Sequence, residues 1–243
     1  MMNIQDEMSI MYKYTETESR QVGGFDKVLI KGNTCSAQLF ITQGEQEALT
    51  IEAPPEYMHR LRSEVKDGKL TVRLHGSWLQ ELEDALTTCV NRPHICYRLL
   101  VTQLTSLEVQ CADKIYIPGL ETPHLQIKLN AIGDFRLDNL STEKLDVSHS
   151  SSGCLRIAGQ VEEQVVVLNG VGSYIARDLI SQRARVRMAG TSSAIIRVSQ
   201  VMDATLRGVG ILEYSGHPTV SKRIYGPGQV LRVPDIRERR HYC

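Results

Sequence analysis

Aromatic side chains are scarce in this sequence: they make up 5% of its 243 residues, and a single one is a tryptophan. This composition suits a thin core built from aliphatic side chains. An excess of charge of either sign is also absent, because 28 basic residues balance 28 acidic ones. The balance argues against a surface that binds nucleic acid or strongly seeks membranes. No apolar run approaches the roughly 18 to 20 residues of a membrane span, so we predict none.

A secretory leader is not recognisable, since residues 1–20 lack a basic start followed by an apolar block. We therefore expect either a cytoplasmic protein or one whose leader lies outside this chain. No CxxC pair occurs, and free thiols are the expected state of the cysteines, which favours a reducing compartment. Cys89 and Cys96 could instead bridge across a loop. The six cysteines are Cys35, Cys89, Cys96, Cys111, Cys154 and Cys243.

Metal-ligand spacing is missing as well. The histidines show neither HxH nor HExxH spacing, so we predict no metal site and no cofactor. The seven histidines are His59, His75, His94, His124, His149, His217 and His241.

A repeated turn dominates what the sequence does contain. Small residues recur every 18 to 20 positions, an internal period that is typical of a solenoid. One column of small residues is Ala131, Ser151, Gly170, Gly190 and Gly208, and a second, two residues on, is Gly133, Gly153, Gly172, Ser192 and Gly210.

Apolar residues alternate with polar ones on both sides of each turn, which indicates strands. A repeat of about 20 residues holds two or three short strands, stacked as parallel ladders about 4.8 Å apart. The sequence therefore predicts an all-β fold, a parallel β-helix whose inward columns fill a narrow core. We expect the glycines to occupy corners where φ is positive. These structural turn residues are Gly133, Gly153, Gly170, Gly172, Gly190, Gly208 and Gly210.

The register of one strand is ambiguous. Counting from the turns places Val166 and Leu168 inside, whereas counting 20 residues from Leu145 places Val165 and Val167 inside. A slip by one residue exchanges the two faces of a strand. We adopt the register given by the glycines, because the turn is the more constrained feature.

The remaining chain divides around these coils. Residues 1–22 and 234–243 are predicted tails, and residues 23–233 a single domain with coils over about 107–220. From Phe25 onward we expect antiparallel strands, including a hairpin at Asp67-Gly68. Residues 77–86 have helical spacing and a capping box, which predicts one short amphipathic helix that covers the sheet or, alternatively, binds a partner.

The layout resembles the putative auto-transporter adhesin family with the head GIN domain. The resemblance rests on the phrase from Phe25 to Glu45, the hairpin from Val65 to Val72, the LNGVGSY turn and the closing YSGHPTV, and covers residues 23 to about 233. It implies a right-handed parallel β-helix and an exported, envelope-associated protein, and no catalytic residues. His149 and the serines after it depart from the usual apolar-then-glycine turn.

The segment SHSSSG, from Ser148 to Gly153, places a serine beside a histidine. A nucleophile needs a base within hydrogen-bond reach, but no acidic residue is at hand to orient this pair. The register puts His149 inside, between Leu129 and Leu168, as an atypical core position. We therefore predict a neutral histidine held by serine hydroxyls of its own turn.

Two further patterns bear on function. Asp134, Asp138 and Asp146 do not line up between coils, which disfavours a carbohydrate-active enzyme with paired carboxylates. Arg183, Arg185 and Arg187 project outward from one strand, and a solvated face is preferred over an anion site for them.

The leading hypothesis is a non-catalytic surface or envelope module with adhesin-like binding of a glycan or protein. The alternative is an intracellular scaffold that self-associates through its coil ends or flat face. A carbohydrate-active enzyme is a distant third.

Overall fold

The structure is a computed structural model that describes residues 15–32, 37–75 and 94–234. It is nearly all β, with 72% strand and one short helix, α1 (Pro55–Met58). The strands are β1 (Glu16–Arg20), β2 (Lys27–Lys31), β3 (Ala37–Gln43), β4 (Ala48–Ala53), β5 (Leu61–Lys66), β6 (Lys69–Leu74), β7 (Ile95–Val101), β8 (Ser106–Val109), β9 (Lys114–Ile117), β10 (Leu120–Glu121), β11 (His124–Leu129), β12 (Gly133–His149), β13 (Ser152–Leu168), β14 (Val171–Gly190), β15 (Ser193–Gly208), β16 (Ile211–Ser215), β17 (Thr219–Ile224) and β18 (Gln229–Arg232).

The strands wind into a β-solenoid of about 6 turns with roughly 20 residues per turn. We call its two main faces the first wall and the second wall. The first wall contains β6, β2, β8, β11, the second halves of β12 to β15, and β17, all paired in parallel. The second wall contains β7, β3, β9, the first halves of β12 to β15, β16 and β18. The predicted parallel β-helix is confirmed.

The register follows the glycine turns. Val147 pairs with Val166, and His149 pairs with Leu168. Val166 and Leu168 are buried, whereas Val165 and Val167 are half-buried on the outer face. The ambiguity is resolved because only this register stacks the small corner residues of successive coils on one another.

The core is a set of apolar columns, as the alternation predicts. It also holds a polar chain that the apolar pattern does not indicate. The hydroxyl of Tyr174 donates to Oε1 of Gln164 at 3.0 Å, and Nε2 of Gln164 donates to Oγ of Ser181 at 2.8 Å. All three side chains are buried, and burial raises the pKa of Tyr174 well above its ordinary value. Every member has a partner, as a buried polar group requires.

The N-terminal part differs from the prediction. Strands β2 and β3 were expected to be antiparallel, but both belong to parallel ladders, which therefore extend from Lys27 to Arg232 rather than over 107–220. Antiparallel pairing occurs between β1 and β4, β4 and β7, and β5 and β6. Short strands joined by turns look alike in sequence whether they form hairpins or coils, so the alternation alone did not separate the two.

Three local predictions near the N-terminus have different outcomes. The hairpin is correct: Asp67 and Gly68 both have positive φ, at 52° and 71°, as its turn type requires. The tail over 1–22 is wrong for residues 16–20, which form β1 on the edge of β4. The predicted helix over 77–86 lies outside the described residues; α1 is a different, shorter helix after Pro54.

The glycine corners owe their composition to close packing more than to φ. Gly153 and Gly190 have positive φ, but Gly133, Gly170, Gly172, Gly208 and Gly210 do not, which corrects the expected conformation. A Cβ on Gly210 would lie 2.6 Å from the carbonyl oxygen of Ser192 in the coil before it. Successive corners approach so closely that a side chain does not fit between them.

The last coil carries charged residues at positions that are apolar in the coils before it. Lys222 lies over Ala204, and Arg232 lies over Tyr214, so both occupy columns that are apolar in earlier coils. Arg232 donates to the carbonyl oxygen of Gly216 at 3.0 Å. Charged residues at the end of a sheet discourage pairing with another chain.

Candidate functional site

An open groove crosses the outer face of the first wall near the C-terminal coils. It has a volume of about 400 Å³ and is rich in arginine. We call it the arginine groove; its lining residues are Val167, Asn169, Arg185, Arg187, Met188, Ala189, Asp203, Thr205, Arg207, Arg223 and Tyr225.

Strand alternation and coil register place these side chains together. Arg185 and Arg187 are two residues apart on β14, so both point outward from the same strand. Thr205 pairs with Arg187 on one side and with Arg223 on the other, so the two arginines are two coils apart in one column. Arg207 follows Thr205 at the next outward position of β15. The groove thus gathers residues from successive coils that are distant in sequence.

The electrostatic balance of the groove is one-sided. It is lined by four arginines and one carboxylate, that of Asp203, in a chain whose total charge is zero. Among the described residues, no carboxylate lies within ion-pair distance of the four guanidinium groups. The neighbouring Arg183 differs, since it contacts Glu162 at 3.9 Å and lies outside the groove. Unpaired guanidinium groups are available to bind a carboxylate, sulfate or phosphate in bidentate fashion.

An aromatic ring completes one end of the groove. Tyr225 is 61% exposed, and the guanidinium carbon of Arg207 lies 5.5 Å from the centre of its ring. This cation–π contact orients both side chains without neutralising the arginine. Asn169 and Thr205 add neutral hydrogen-bonding groups between the charged ones.

The Ser/His segment is not a second site. His149 is buried at 2% exposure between Leu129 and Leu168, and burial lowers its pKa, with a smaller opposing effect of the Leu129 and Gly153 carbonyls. Neither ring nitrogen makes a hydrogen bond. The serine hydroxyls predicted to hold the ring therefore do not do so; the imidazole lies inside the coil, beside Gly172.

Cysteines and metal ligands add no further site in the described part of the chain. Cys96, Cys111 and Cys154 form no disulfide with one another. The considered bridge from Cys89 to Cys96 involves a residue outside the described ranges. Over residues 15–32, 37–75 and 94–234, no three His, Cys, Asp or Glu side chains gather as a metal site. No helix in those ranges is long and apolar enough to cross a membrane.

The sequence pattern predicts two of the four arginines of the groove, but as part of a solvated strand face and not as a binding site. Arg185 and Arg187 were predicted to project outward, and Arg185 lies beside Asp203 of the next strand in the ladder, without an ion pair. Arg207, Arg223 and Tyr225 were missed. The repeat could have identified them, because its period aligns the outward residues of the next two coils with Arg185 and Arg187 and so places Arg207, Arg223 and Tyr225 nearby.

These features define a parallel β-solenoid with a solvent-exposed, cationic side wall. The family described as "Putative auto-transporter adhesin, head GIN domain" matches residues 24–218, and the chain belongs to this family. The membership suggests an extracellular or envelope protein that is not an enzyme. Among curated proteins, none matches the chain.

Solved structures share the fold. A protein described as a putative adhesin from Bacteroides fragilis is 22% identical, with a TM-score of 0.79 over 91% of this chain and 98% of that one. A protein from Parabacteroides distasonis described as a putative lipid binding protein is 19% identical, with a TM-score of 0.67 over 91% and 97%. A putative adhesin from Parabacteroides merdae is 18% identical, with a TM-score of 0.59 over the same shares. At these identities the likeness extends to the fold alone.

Proposed function

We propose that this protein is a non-catalytic recognition module of the cell envelope, and that it binds its ligand, a glycan or a protein, through the arginine groove. The observation that carries the proposal is the set of four unpaired arginines in one groove of a chain without net charge. Like charges side by side repel one another, and no described carboxylate offsets this repulsion through an ion pair, which favours a role in binding an anion. An anionic ligand relieves that repulsion on binding. Membership of the adhesin family supports a location in the cell envelope.

The scaffold alternative is less well supported. Stacking through the coil ends needs an apolar last coil with a free strand edge. Here Lys222 and Arg232 stand in the inward columns of that coil. Docking another chain would bury both charges, which is unfavourable unless each finds a partner.

The enzyme alternative also lacks support from this groove. Glycoside hydrolysis by the common mechanisms uses a pair of carboxylates. Asp203 is the single carboxylate among the lining residues, and arginines surround it. The groove favours holding an anion over cleaving a glycosidic bond.

The test is binding to an array of immobilised extracellular glycans and matrix proteins. The parent chain is compared with a variant in which Arg185, Arg187, Arg207 and Arg223 are all replaced by Gln, which keeps the side chains polar and removes their charge. Arg183→Gln is the matched control on the same strand. We expect the parent and the control to bind at least one component, and the quadruple variant to lose that binding. Binding unaffected by the four substitutions would contradict the proposal, and concentration-dependent assembly in sedimentation, without array binding, would favour the scaffold.

A further inference from the structure

The arrangement of charge in the arginine groove indicates what kind of ligand it takes. We infer that the groove binds an acidic polysaccharide, a linear glycan that bears carboxylates or sulfates at intervals. The inference rests on the proposed function and narrows its ligand to one chemical class.

The first argument is the distribution of the arginines over several coils. Arg187 and Arg223 lie in one column two coils apart, which corresponds to about 10 Å at a strand spacing of about 4.8 Å. Arg185 and Arg187 lie two positions apart along a strand, which corresponds to about 7 Å. A single phosphate or carboxylate is too small to contact all of them. A polymer with repeated acidic groups can contact several at once, and its affinity then rises through multivalency.

The second argument is the chemistry between the charges. Tyr225 presents an exposed ring whose apolar face suits the C–H groups of a sugar, and its hydroxyl remains available for hydrogen bonds. Asn169 and Thr205 can exchange hydrogen bonds with sugar hydroxyls. An anion site for a simple ion would need none of these groups.

The third argument excludes other polymers. The outer face of a wall has its backbone hydrogen bonds satisfied within the ladders, so an acidic peptide cannot add a strand there. The groove is open to solvent and lined by four arginines, so it offers no enclosed apolar pocket for the anchoring side chains that dominate protein interfaces. Nucleic-acid binders carry a strongly basic surface, whereas this chain is neutral overall and presents one ring at the groove.

The experiment measures binding of the intact chain to polygalacturonate and dextran sulfate, with uncharged dextran and poly-L-glutamate as comparison polymers. We expect both acidic polysaccharides to bind and dextran not to bind. The affinity should fall as salt increases, since the guanidinium groups are exposed and screened. The double variant Arg187→Gln/Arg223→Gln should weaken binding by about tenfold or more, the effect of losing roughly one charge-assisted contact. Arg183→Gln should change it less than about twofold, in keeping with its position outside the groove.

Tyr225→Ala separates sugar recognition from charge alone. It should weaken polygalacturonate binding by about fivefold or more, comparable to one aromatic contact, and leave any residual poly-L-glutamate binding unchanged. Unaltered thermal melts of these surface variants serve as the folding control. The inference is overturned if neither acidic polysaccharide binds, if dextran binds equally, or if poly-L-glutamate binds as tightly and Tyr225→Ala has no effect. If the chain then binds a protein on the array, and that binding still requires the four arginines, the proposed function is retained and only the inference of an acidic polysaccharide is refuted.

Discussion

The contact between the glycine corner and the buried histidine makes Gly172→Ala the most informative single substitution. A Cβ at Gly172 would overlap Nε2 of His149, lie 2.7 Å from its Cδ2 and lie 2.9 Å from the carbonyl oxygen of Gly153. Carbon atoms in proteins rest at about 3.5–4.0 Å from their neighbours, so the imidazole must move within a packed core. Overpacking of this kind costs about 1–3 kcal/mol in the free energy of unfolding. In a chain of this size that corresponds to a fall of roughly 2–12 °C in Tm.

The cause can be isolated with a double-mutant cycle. His149→Ala removes the ring that the new methyl group would meet, so Gly172→Ala should be less destabilising in that background. We expect a coupling free energy of about 1 kcal/mol or more, typical of residues in direct contact. Some penalty should remain, because the Gly153 carbonyl is unaffected. The valine variant at position 172 should be more destabilising than alanine, since its branched side chain fills more of the same space.

Urea denaturation followed by circular dichroism measures the four corners of the cycle. The matched control is Gly44→Ala: Gly44 has no atom within 4 Å of an added Cβ, so this variant should be neutral or slightly stabilising. The steric explanation fails if Gly172→Ala lowers the free energy of unfolding equally in both backgrounds, or if it has no more effect than Gly44→Ala.

Three further outcomes are expected. Burial lowers the pKa of His149, so below about pH 6.5 the unfolded chain binds a proton that the folded chain does not. As the pH falls from there to the folded pKa, the free energy of unfolding of the parent should decrease by up to about 1.4 kcal/mol per pH unit relative to His149→Leu. Parallel pH profiles in urea melts would contradict this. Tyr174→Phe leaves Oε1 of Gln164 without its donor and should cost about 1–3 kcal/mol, whereas the exposed Tyr225→Phe should be neutral; equal melts would refute the buried network. Far-UV circular dichroism should show a strand-dominated spectrum, and a helix content above about a third would contradict the fold.

The coils were predictable because each one repeats the same small corner residues and the same alternation of inward and outward side chains. The glycine columns, the inward alternation and the stacking of His149 between Leu129 and Leu168 all follow from a single period. The repeat was weaker before residue 107, because the antiparallel strands β4 and β5 interrupt the even spacing of the coils, although Gly32 follows β2 at a corner. There the same alternation fits either a hairpin or a coil, and the choice is made by contacts with strands far along the chain, such as β8 and β9.

Other features depend on distances that a pattern does not contain. The corner glycines were expected to serve positive φ, yet Gly172 is required by its separation from His149. The chain of hydrogen bonds from Tyr174 through Gln164 to Ser181 joins different sides of one coil, so no period in the sequence links its members. The arginine groove combines outward residues of four successive coils, and it becomes recognisable only when their columns are placed side by side.

The uniform rise of the solenoid has a consequence for how related proteins can diverge. A whole coil can be gained or lost between two corners without altering the path of its neighbours, because each coil contacts only those next to it. Each such event changes the separation of outward side chains by one step of about 4.8 Å. Under the inferred binding of acidic polysaccharides, a protein with another number of coils would match a polymer whose charged groups are spaced differently, and this preference would change in steps.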